Sequence, residues 1–330
     1  MPVGRNTNMT RRELFRATTL VAGGVAVLSV SAQLYPEWLT TYAQQPVAAP
    51  ADPLAATRAQ MGATPIERMQ LASNLALLMG PGGNVVILSG PEGKVVVDGF
   101  VQPAFAKLRE HTARSGTGPI KVLIDTHWHF DHADNNENFR KAGAEILAHE
   151  NTKKRLSEEH DLLGMHFPAA PADALPTQTF AERHTLTVNG ETIELAHIPP
   201  AHTDTDISVH YTKANVLHLG DVFFNGMYPF IDASTGGSIN GMINGTDLAL
   251  KMANNQTKIV PGHGPLGNRA ALTRYRDMLV TIRDRVAKLK SAGRTLEQVV
   301  AAKPSASLDG TWGKGFMMPD VFVGIVYNTL

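Results

Sequence analysis

Four side chains that can bind a metal ion occur within six consecutive residues of this sequence, in the run His-Trp-His-Phe-Asp-His at residues 127–132. The apolar segment 120–124 comes just before this run and is predicted to form a buried strand. Because a buried polar group without a partner costs about 1–3 kcal/mol, these side chains need either a metal ion or hydrogen-bond partners. His127 and His129 can face one ion, and Asp131 and His132, displaced by the turn, can face a second. We therefore predict a metal site here, in preference to an ordinary polar loop.

The 330-residue chain contains no cysteine, which excludes disulfides, thiolate ligands and a cysteine nucleophile. A transition-metal site must then use His, Asp and Glu, a ligand set that suits zinc and also tolerates iron or manganese. The 30 Lys and Arg residues balance the 30 Asp and Glu residues. This balance disfavours nucleic acid as a partner and favours a small-molecule substrate.

Three later polar residues each follow a predicted apolar strand. His202 comes after Pro-Pro-Ala, Asp221 ends the run His-Leu-Gly-Asp, and His263 lies between two glycines that let the backbone approach a site closely. Taken singly, each would more often be an ordinary loop residue. Taken together and in this order, they are predicted to lie at one edge of the sheets, beside the 127–132 loop.

This order of residues resembles the metallo-β-lactamase superfamily, and the resemblance extends from about residue 71 to residue 269. It implies an α/β fold of the αββα type, in which two mixed β-sheets carry helices on their outer faces and the metals lie in a shallow groove at one edge. The implied ligands are His127, His129 and His202 for the first zinc ion, Asp131, His132 and His263 for the second, and Asp221 as a bridge between them. Asp98 matches an early aspartate of the family that supports the metal loop, although Asp-Gly is also a common turn.

The resemblance also implies a reaction. True zinc β-lactamases often use a cysteine ligand or lack the bridging aspartate, so this chain is more similar to the broader hydrolase branch of glyoxalase II, lactonases and related esterases. Residues 133–136, Ala-Asp-Asn-Asn, depart from the family's usual glycines. The predicted activity is that of a hydrolase with two zinc ions per chain, in which a metal-bridging hydroxide attacks a lactone, thioester, ester or β-lactam carbonyl. Asp131 and Asp221 are the predicted catalytic residues.

Other functions remain open at this point. The same ligands can hold redox iron in an oxidoreductase similar to the sulfur dioxygenases, or serve a phosphodiesterase. A catalytically silent binding protein is disfavoured because the ligand set is intact.

Weaker features concern the substrate. The aromatic stretch 223–230 and the pair His166-Phe167 are predicted either to wall the groove or simply to pack beneath it, and Asn225 or Tyr228 is a weak candidate for holding an oxyanion. His210 and His218 lie on predicted strands and are candidates for support of the ligands. Five histidines carry no motif and are expected at the surface or in the core: His111, His149, His160, His184 and His197.

Alternation and turn signals predict the elements. Strands are expected at 71–79, 84–88, 94–97, 120–124, 145–148, 184–188, 192–198, 206–211, 215–219 and 258–260, and Asn189-Gly190 marks a hairpin. Helices are expected at 103–112, 137–142, 152–160 and 242–253, with a long amphipathic helix from Asn268 to about Ser291 and a capping box at Thr295 and Gln298.

The N-terminal sequence is typical of an export signal. Arg11-Arg12 precedes an uncharged run, residues 17–32, that is shorter than the ~20 residues of a spanning helix. We predict a twin-arginine signal and linker (1–43, cleaved after Ala32 or Ala43), an N-terminal extension (44–70), a catalytic domain (71–270) and a C-terminal helical extension packed on the core (271–330). The expected location is the bacterial periplasm or the exterior, without stable membrane insertion after cleavage; a retained anchor is the alternative.

Overall fold

The first half of the chain builds a seven-stranded sheet. The computed structural model describes residues 53–330, so the predicted export signal lies outside the described residues. The strands are β1 (Glu67–Ala72), β2 (Leu75–Met79), β3 (Val85–Leu88), β4 (Lys94–Val97), β5 (Ile120–Ile124), β6 (Glu145–His149) and β9 (Gln178–Phe180), in that order across the sheet. β1 to β4 pair antiparallel, whereas β4, β5, β6 and β9 pair parallel, so the sheet is mixed.

The second half builds a six-stranded sheet. Its strands are β10 (Arg183–Val188), β11 (Glu191–His197), β12 (Ile207–Tyr211), β13 (Val216–His218), β14 (Lys258–Val260) and β15 (Gly267–Asn268), again in chain order. Only β13 and β14 pair parallel; the other neighbours are antiparallel. A separate hairpin joins β7 (His160–Leu162) to β8 (Met165–Phe167).

The period-two alternation of the strands explains how the sheets stack. In β2, Leu75 and Leu77 belong to a buried cluster that also holds Leu195 and Val209 of the second sheet, so these side chains fill the space between the sheets. Leu78, on the opposite face of β2, belongs to a different cluster. Each sheet thus has one face toward its partner and one toward helices.

Helices cover the two outer faces. Leu108 and Phe139 pack with Leu78 over the first sheet, and Met242 and Leu272 belong to the cluster over the second. The helices are α1 (Pro53–Ala63), α2 (Phe105–Ala113), α3 (Phe130–Ala133), α4 (Asn136–Lys141), α5 (Glu150–Leu156), α6 (Ile239–Met252), α7 (Arg269–Ser291), α8 (Leu296–Ala301), α9 (Ala306–Trp312) and α10 (Pro319–Asn328). The predicted αββα sandwich with two mixed sheets is confirmed. Within residues 53–330, no helix combines the length and the apolar character that crossing a membrane requires.

Two predicted elements were wrong in their extent. The expected strand 71–79 is a hairpin, because the chain turns at Ser73-Asn74 between β1 and β2. The expected helix 152–160 ends at Leu156, and His160 instead begins β7. The hairpin of β7 and β8 was not predicted at all; its turn places Leu163 at φ 52° and Gly164 at φ 75°.

Candidate metal centre

The carboxyl ends of parallel strands bring the polar loops together. β4 and β5 run side by side, so Asp98 after β4 lies beside the segment 125–132 after β5. His127, His132 and His202 have no exposed surface, and Asp221 is only 5% exposed. The seven predicted ligands thus lie in a largely buried cluster at the edge of the sandwich.

The first group of ligand atoms comes from three histidines and one aspartate. His127, His129, His202 and Asp221 each offer an atom within 4.8 Å of the others. Nε2 of His202 lies 2.8 Å from Nδ1 of His129 and 3.5 Å from Oδ2 of Asp221. Three nitrogen donors and a carboxylate at this spacing suit a tetrahedral zinc ion.

The second group contains Asp131, His132 and His263, whose ligand atoms also lie within 4.8 Å of one another. Asp221 approaches this group as well, because its Oδ1 lies 3.2 Å from Nε2 of His132 and its Oδ2 lies 3.4 Å from Nε2 of His263. Oδ2 of Asp131 lies 3.2 Å from the same nitrogen of His263. The structure therefore places all seven residues together, divided as the resemblance implies, with Asp221 between the groups. Their roles as ligands and catalysts stay predictions.

Asp98 holds two of the histidines in position. Its carboxylate accepts hydrogen bonds from N and Oγ1 of Thr126, and lies 2.8 Å from Nδ1 of His132. Nδ1 of His127 lies 3.1 Å from Oγ1 of Thr126. If each Nδ1 carries the proton, Nε2 of both rings presents a lone pair to the site, which is the usual outer support of a metal-binding histidine.

The other two histidines of the first group have their own supports. Nδ1 of His202 lies 2.9 Å from the carbonyl oxygen of Phe230, and Nε2 of His129 lies 3.2 Å from Oδ2 of Asp232. Although burial alone would raise it, hydrogen bonds from His129 and from Ser234 and Thr235 hold the pKa of Asp232 well below its usual range. Asp232 thus stays ionised and fixes the ring of His129. Nothing in the sequence analysis had singled it out.

The unpaired polar atoms of the cluster fit metal binding. Nε2 of His127, Nε2 of His132 and Oδ1 of Asp221 are buried and make no hydrogen bond of acceptable geometry, although the last two atoms lie 3.2 Å apart. Each such atom costs about 1–3 kcal/mol if it stays unsatisfied. Burial lowers the pKa of His202 to about 4, which keeps a lone pair on its ring at neutral pH. For His263, burial is outweighed by the nearby Asp221 and Asp131 carboxylates, which raise its pKa to about 9 and mark a site where positive charge is favoured. The donor set therefore fits divalent cations.

Comparison with known proteins identifies the family. The family model described as the metallo-beta-lactamase superfamily matches residues 79–286, more than half of the chain and a stretch that includes all seven residues. The chain belongs to this superfamily.

One curated relative resembles the chain in sequence, and solved structures resemble it in fold. A probable metallo-hydrolase of Methanocaldococcus jannaschii is 28% identical over 185 residues, which are 54% of this chain and 85% of that protein. A metallo-beta-lactamase from Pontibacter korlensis shares the fold with a TM-score of 0.56 at 19% identity, covering 65% of this chain and 99% of that one. A stereoselective inverting sec-alkylsulfatase of a Pseudomonas species has a TM-score of 0.60 at 18% identity. That match covers 79% of this chain and 50% of the sulfatase chain.

The aromatic stretch 223–230, predicted either to wall the groove or to pack beneath it, mostly packs in the protein interior. In this superfamily member Phe224 stacks on His263, with ring centroids 5.2 Å apart, and is fully buried. Tyr228 is also buried and its hydroxyl donates to Asp309, while the side-chain amide of Asn225 donates to the carbonyl of Pro265. The Tyr228 hydroxyl is therefore not free to hold an oxyanion, whereas the Asn225 amide has a second N–H and its role stays a prediction.

The second expected wall contacts the ligand cluster through Trp128. Phe167 packs against Trp128 and Phe130, and all three residues line a cavity of about 330 Å³. The Trp128 ring also lies 4.8 Å from that of His129. His166 pairs with Asp161 at the surface. Of the strand histidines, His218 is buried near the site and contacts the carbonyl of Asn84, whereas His210 is half-buried beside Glu194.

Proposed function

We propose that this chain is a hydrolase that holds two zinc ions and acts on a carbonyl substrate: a lactone, thioester, ester or β-lactam. The observation that carries the proposal is the position of Asp221, whose carboxylate lies within 3.5 Å of His202 on one side and of His132 and His263 on the other. One carboxylate shared by two groups of ligands is an arrangement that can hold a pair of neighbouring cations.

The chemistry follows from the donor set. A bound zinc ion polarises a carbonyl oxygen and lowers the pKa of a coordinated water to about 7, which supplies a nucleophile at neutral pH. Asp131 lies at the more open end of the site, 9% exposed and with Oδ2 3.2 Å from Nε2 of His263. A carboxylate at that place can hold a proton and return it to the leaving group. Asp98 and Asp232 keep the ligand rings oriented throughout.

The proposed metal rests on the residue types. Imidazole and carboxylate ligands without thiolate suit zinc, and the shared Asp221 supports the broader hydrolase branch over true β-lactamases. Iron or manganese would also accept these ligands. Metal analysis by mass spectrometry and the absorption spectrum of the purified protein distinguish zinc from redox iron. Redox iron would favour the alternative of an oxidoreductase similar to the sulfur dioxygenases.

Substitution of the ligands tests the site. We expect His127→Ala and Asp131→Ala to reduce the bound metal below that of the wild-type protein and to lower turnover more than about 10³-fold, because each removes a ligand of one group. His166→Ala is the matched control, since that ring pairs with Asp161 at the surface, and it should retain both metal and turnover. Wild-type turnover in His127→Ala with its metal depleted would refute the assignment.

A substrate panel tests the reaction. The zinc-loaded protein is assayed against lactones, thioesters, esters, β-lactams, phosphodiesters and alkyl sulfates. Hydrolysis of one of the four carbonyl classes supports the proposal. Turnover confined to phosphodiesters or sulfates would replace it with another hydrolase of the same fold.

A further inference from the structure

One aromatic side chain next to the metal centre is held outside the core. Phe316 is 57% exposed, the largest value for any large apolar side chain in residues 53–330. Its ring centroid lies 6.0 Å from that of His263 and 6.2 Å from that of Phe224. A single exposed apolar residue is ordinary in itself. The position of this one beside a predicted ligand is what calls for an explanation.

The segment that carries Phe316 is anchored on both sides. Before it, the carbonyl of Trp312 accepts a hydrogen bond from the backbone N–H of Tyr228. After it, Met317 is 4% exposed and Phe322 stacks on the Tyr228 ring, with centroids 4.8 Å apart. The backbone between these anchors is therefore fixed, and the exposed ring is presented in a defined place.

Close backbone packing brings the segment toward the site. A Cβ atom on Gly315 would lie 2.6 Å from Cβ of Met227, so glycine is needed for this approach. Met227 is itself only partly buried, and Phe224, which stacks on His263, lies 6.2 Å from the Phe316 ring. Because Gly315 adjoins Met227, Phe316 and Met227 present apolar surface at the His263 side of the centre. We refer to it as the Phe316 wall.

Phe316 lies on a part of the chain that the family match does not reach, since that match ends at residue 286. The polar side of the centre is made by Asp131, 9% exposed, and by His263, whose side chain is 17% exposed. A ligand that contacts these groups with its polar end has the Phe316 ring within reach of its other end. Apolar surface removed from water there would strengthen binding.

We propose that Phe316 is a specificity-determining residue that selects substrates with an alkyl chain on the His263 side, so that acyl esters of medium chain length are preferred over acetyl esters. The hydrolysis itself rests on the proposed function. The selection of the chain by Phe316 also applies to ligands that do not react.

The kinetic test compares p-nitrophenyl acetate, butyrate and octanoate as substrates of the zinc-loaded protein. We expect wild-type kcat/KM to rise with chain length, and Phe316→Ala to lower the value for octanoate about tenfold while leaving acetate nearly unchanged. Phe316→Leu should retain most of the preference. Leu248→Ala, which removes a 40% exposed side chain from α6, is the matched control and should behave as wild type.

A binding test separates this inference from the proposed reaction. Dissociation constants of acetate, butyrate and octanoate are measured by titration calorimetry on the same proteins. Tighter binding of octanoate that disappears in Phe316→Ala supports the wall even if no ester is hydrolysed. No chain-length preference in the wild type, or an equal preference in Phe316→Ala, overturns it even if esters are hydrolysed.

Discussion

Gly262 has no space for a side chain at the centre of the site. A Cβ atom there would lie 1.9 Å from Oδ1 of Asp221 and 2.7 Å from the backbone carbon of Gly220. We expect Gly262→Ala to displace the Asp221 carboxylate, to lower metal content and to reduce turnover at least about tenfold. Metal analysis and kcat measured on the same preparations check this.

Gly310 provides the control, because a Cβ there would meet nothing within 4 Å and the residue lies inside α9. Gly310→Ala should keep metal and activity, and should stabilise the helix by about 0.5–1 kcal/mol. If Gly262→Ala keeps its full metal content and turnover, the close approach of this glycine to Asp221 has no functional weight.

The sequence predicts the ligands better than their supports. The predicted ligands share a visible pattern, polar residues directly after apolar strands, and the structure brings all of them together. Asp98 was interpreted either as a turn residue or as a support of the metal loop, and it has features of both. Its φ of 64° is that of a turn residue, and its carboxylate contacts Thr126 and His132. Asp232 precedes Ala-Ser-Thr, a local sequence that is typical of a turn and does not indicate a role beside a ligand. Only the tertiary fold brings it to His129.

The ends of two strands from different sheets meet in a stacked pair of histidines. His149 ends β6 and His197 ends β11, and their rings lie 3.9 Å apart at an interplanar angle of 10°. Nδ1 of His149 accepts from the backbone N–H of Asn151, while Nε2 lies 2.8 Å from the carbonyl of Ala181. This bonding pattern requires the neutral ring.

Acid should therefore weaken this contact. Burial first, and then the neighbouring His197, lower the pKa of His149 from 6.5, while Glu150 and Asp204 oppose the shift. Because the unfolded chain binds the proton more readily, the stabilisation is present above pH 6.5 and is lost as the pH falls from there through the folded-state pKa. We expect His149→Gln to lose less melting temperature than wild type between about pH 7.5 and about pH 5.5.

Thermal melts of wild type, His149→Gln and His166→Gln at each pH measure the effect. The side chain of His166 is exposed and pairs only with Asp161 at the surface, so His166→Gln should follow the wild-type profile. An equal loss in His149→Gln and wild type would show that folding does not lower the pKa of this ring.

Element boundaries were predictable where local signals were strong. The hairpin of β10 and β11 was expected from Asn189-Gly190, which turns with φ of 54° and 74°. The turn at Ser73-Asn74 was missed because the apolar residues on either side read as one run. The β7 and β8 pair was missed because its three-residue strands carry little alternation. Its residues pack against Trp128, which is distant in sequence and whose ring lies 6.5 Å from that of Phe167.

At the scale of the whole molecule, the last sixty residues share the largest buried cluster with the second sheet. This cluster joins Leu217 and Ile259 of β13 and β14 to Tyr275 of α7 and Phe322 of α10. The C-terminal helices thus complete the outer layer and also hold the segment of Phe316. Their removal is expected to affect stability and the metal centre together.

Phe322 and Phe316 separate these two contributions within one segment. Phe322 is fully buried and stacks on Tyr228, so Phe322→Ala should lower the free energy of unfolding by about 3–5 kcal/mol. Phe316 is 57% exposed, and Phe316→Ala should change it by less than about 0.5 kcal/mol. Denaturant unfolding followed by tryptophan fluorescence measures both, and Trp312, 6.0 Å from the Tyr275 ring, reports on this region. If the C-terminal helices and the sandwich unfold together, Phe322→Ala should show a single transition with a lower denaturant midpoint. A separate early transition in that variant would instead mean that the helices unfold independently of the sandwich. Phe316 would then be positioned by a part of the chain that can unfold on its own.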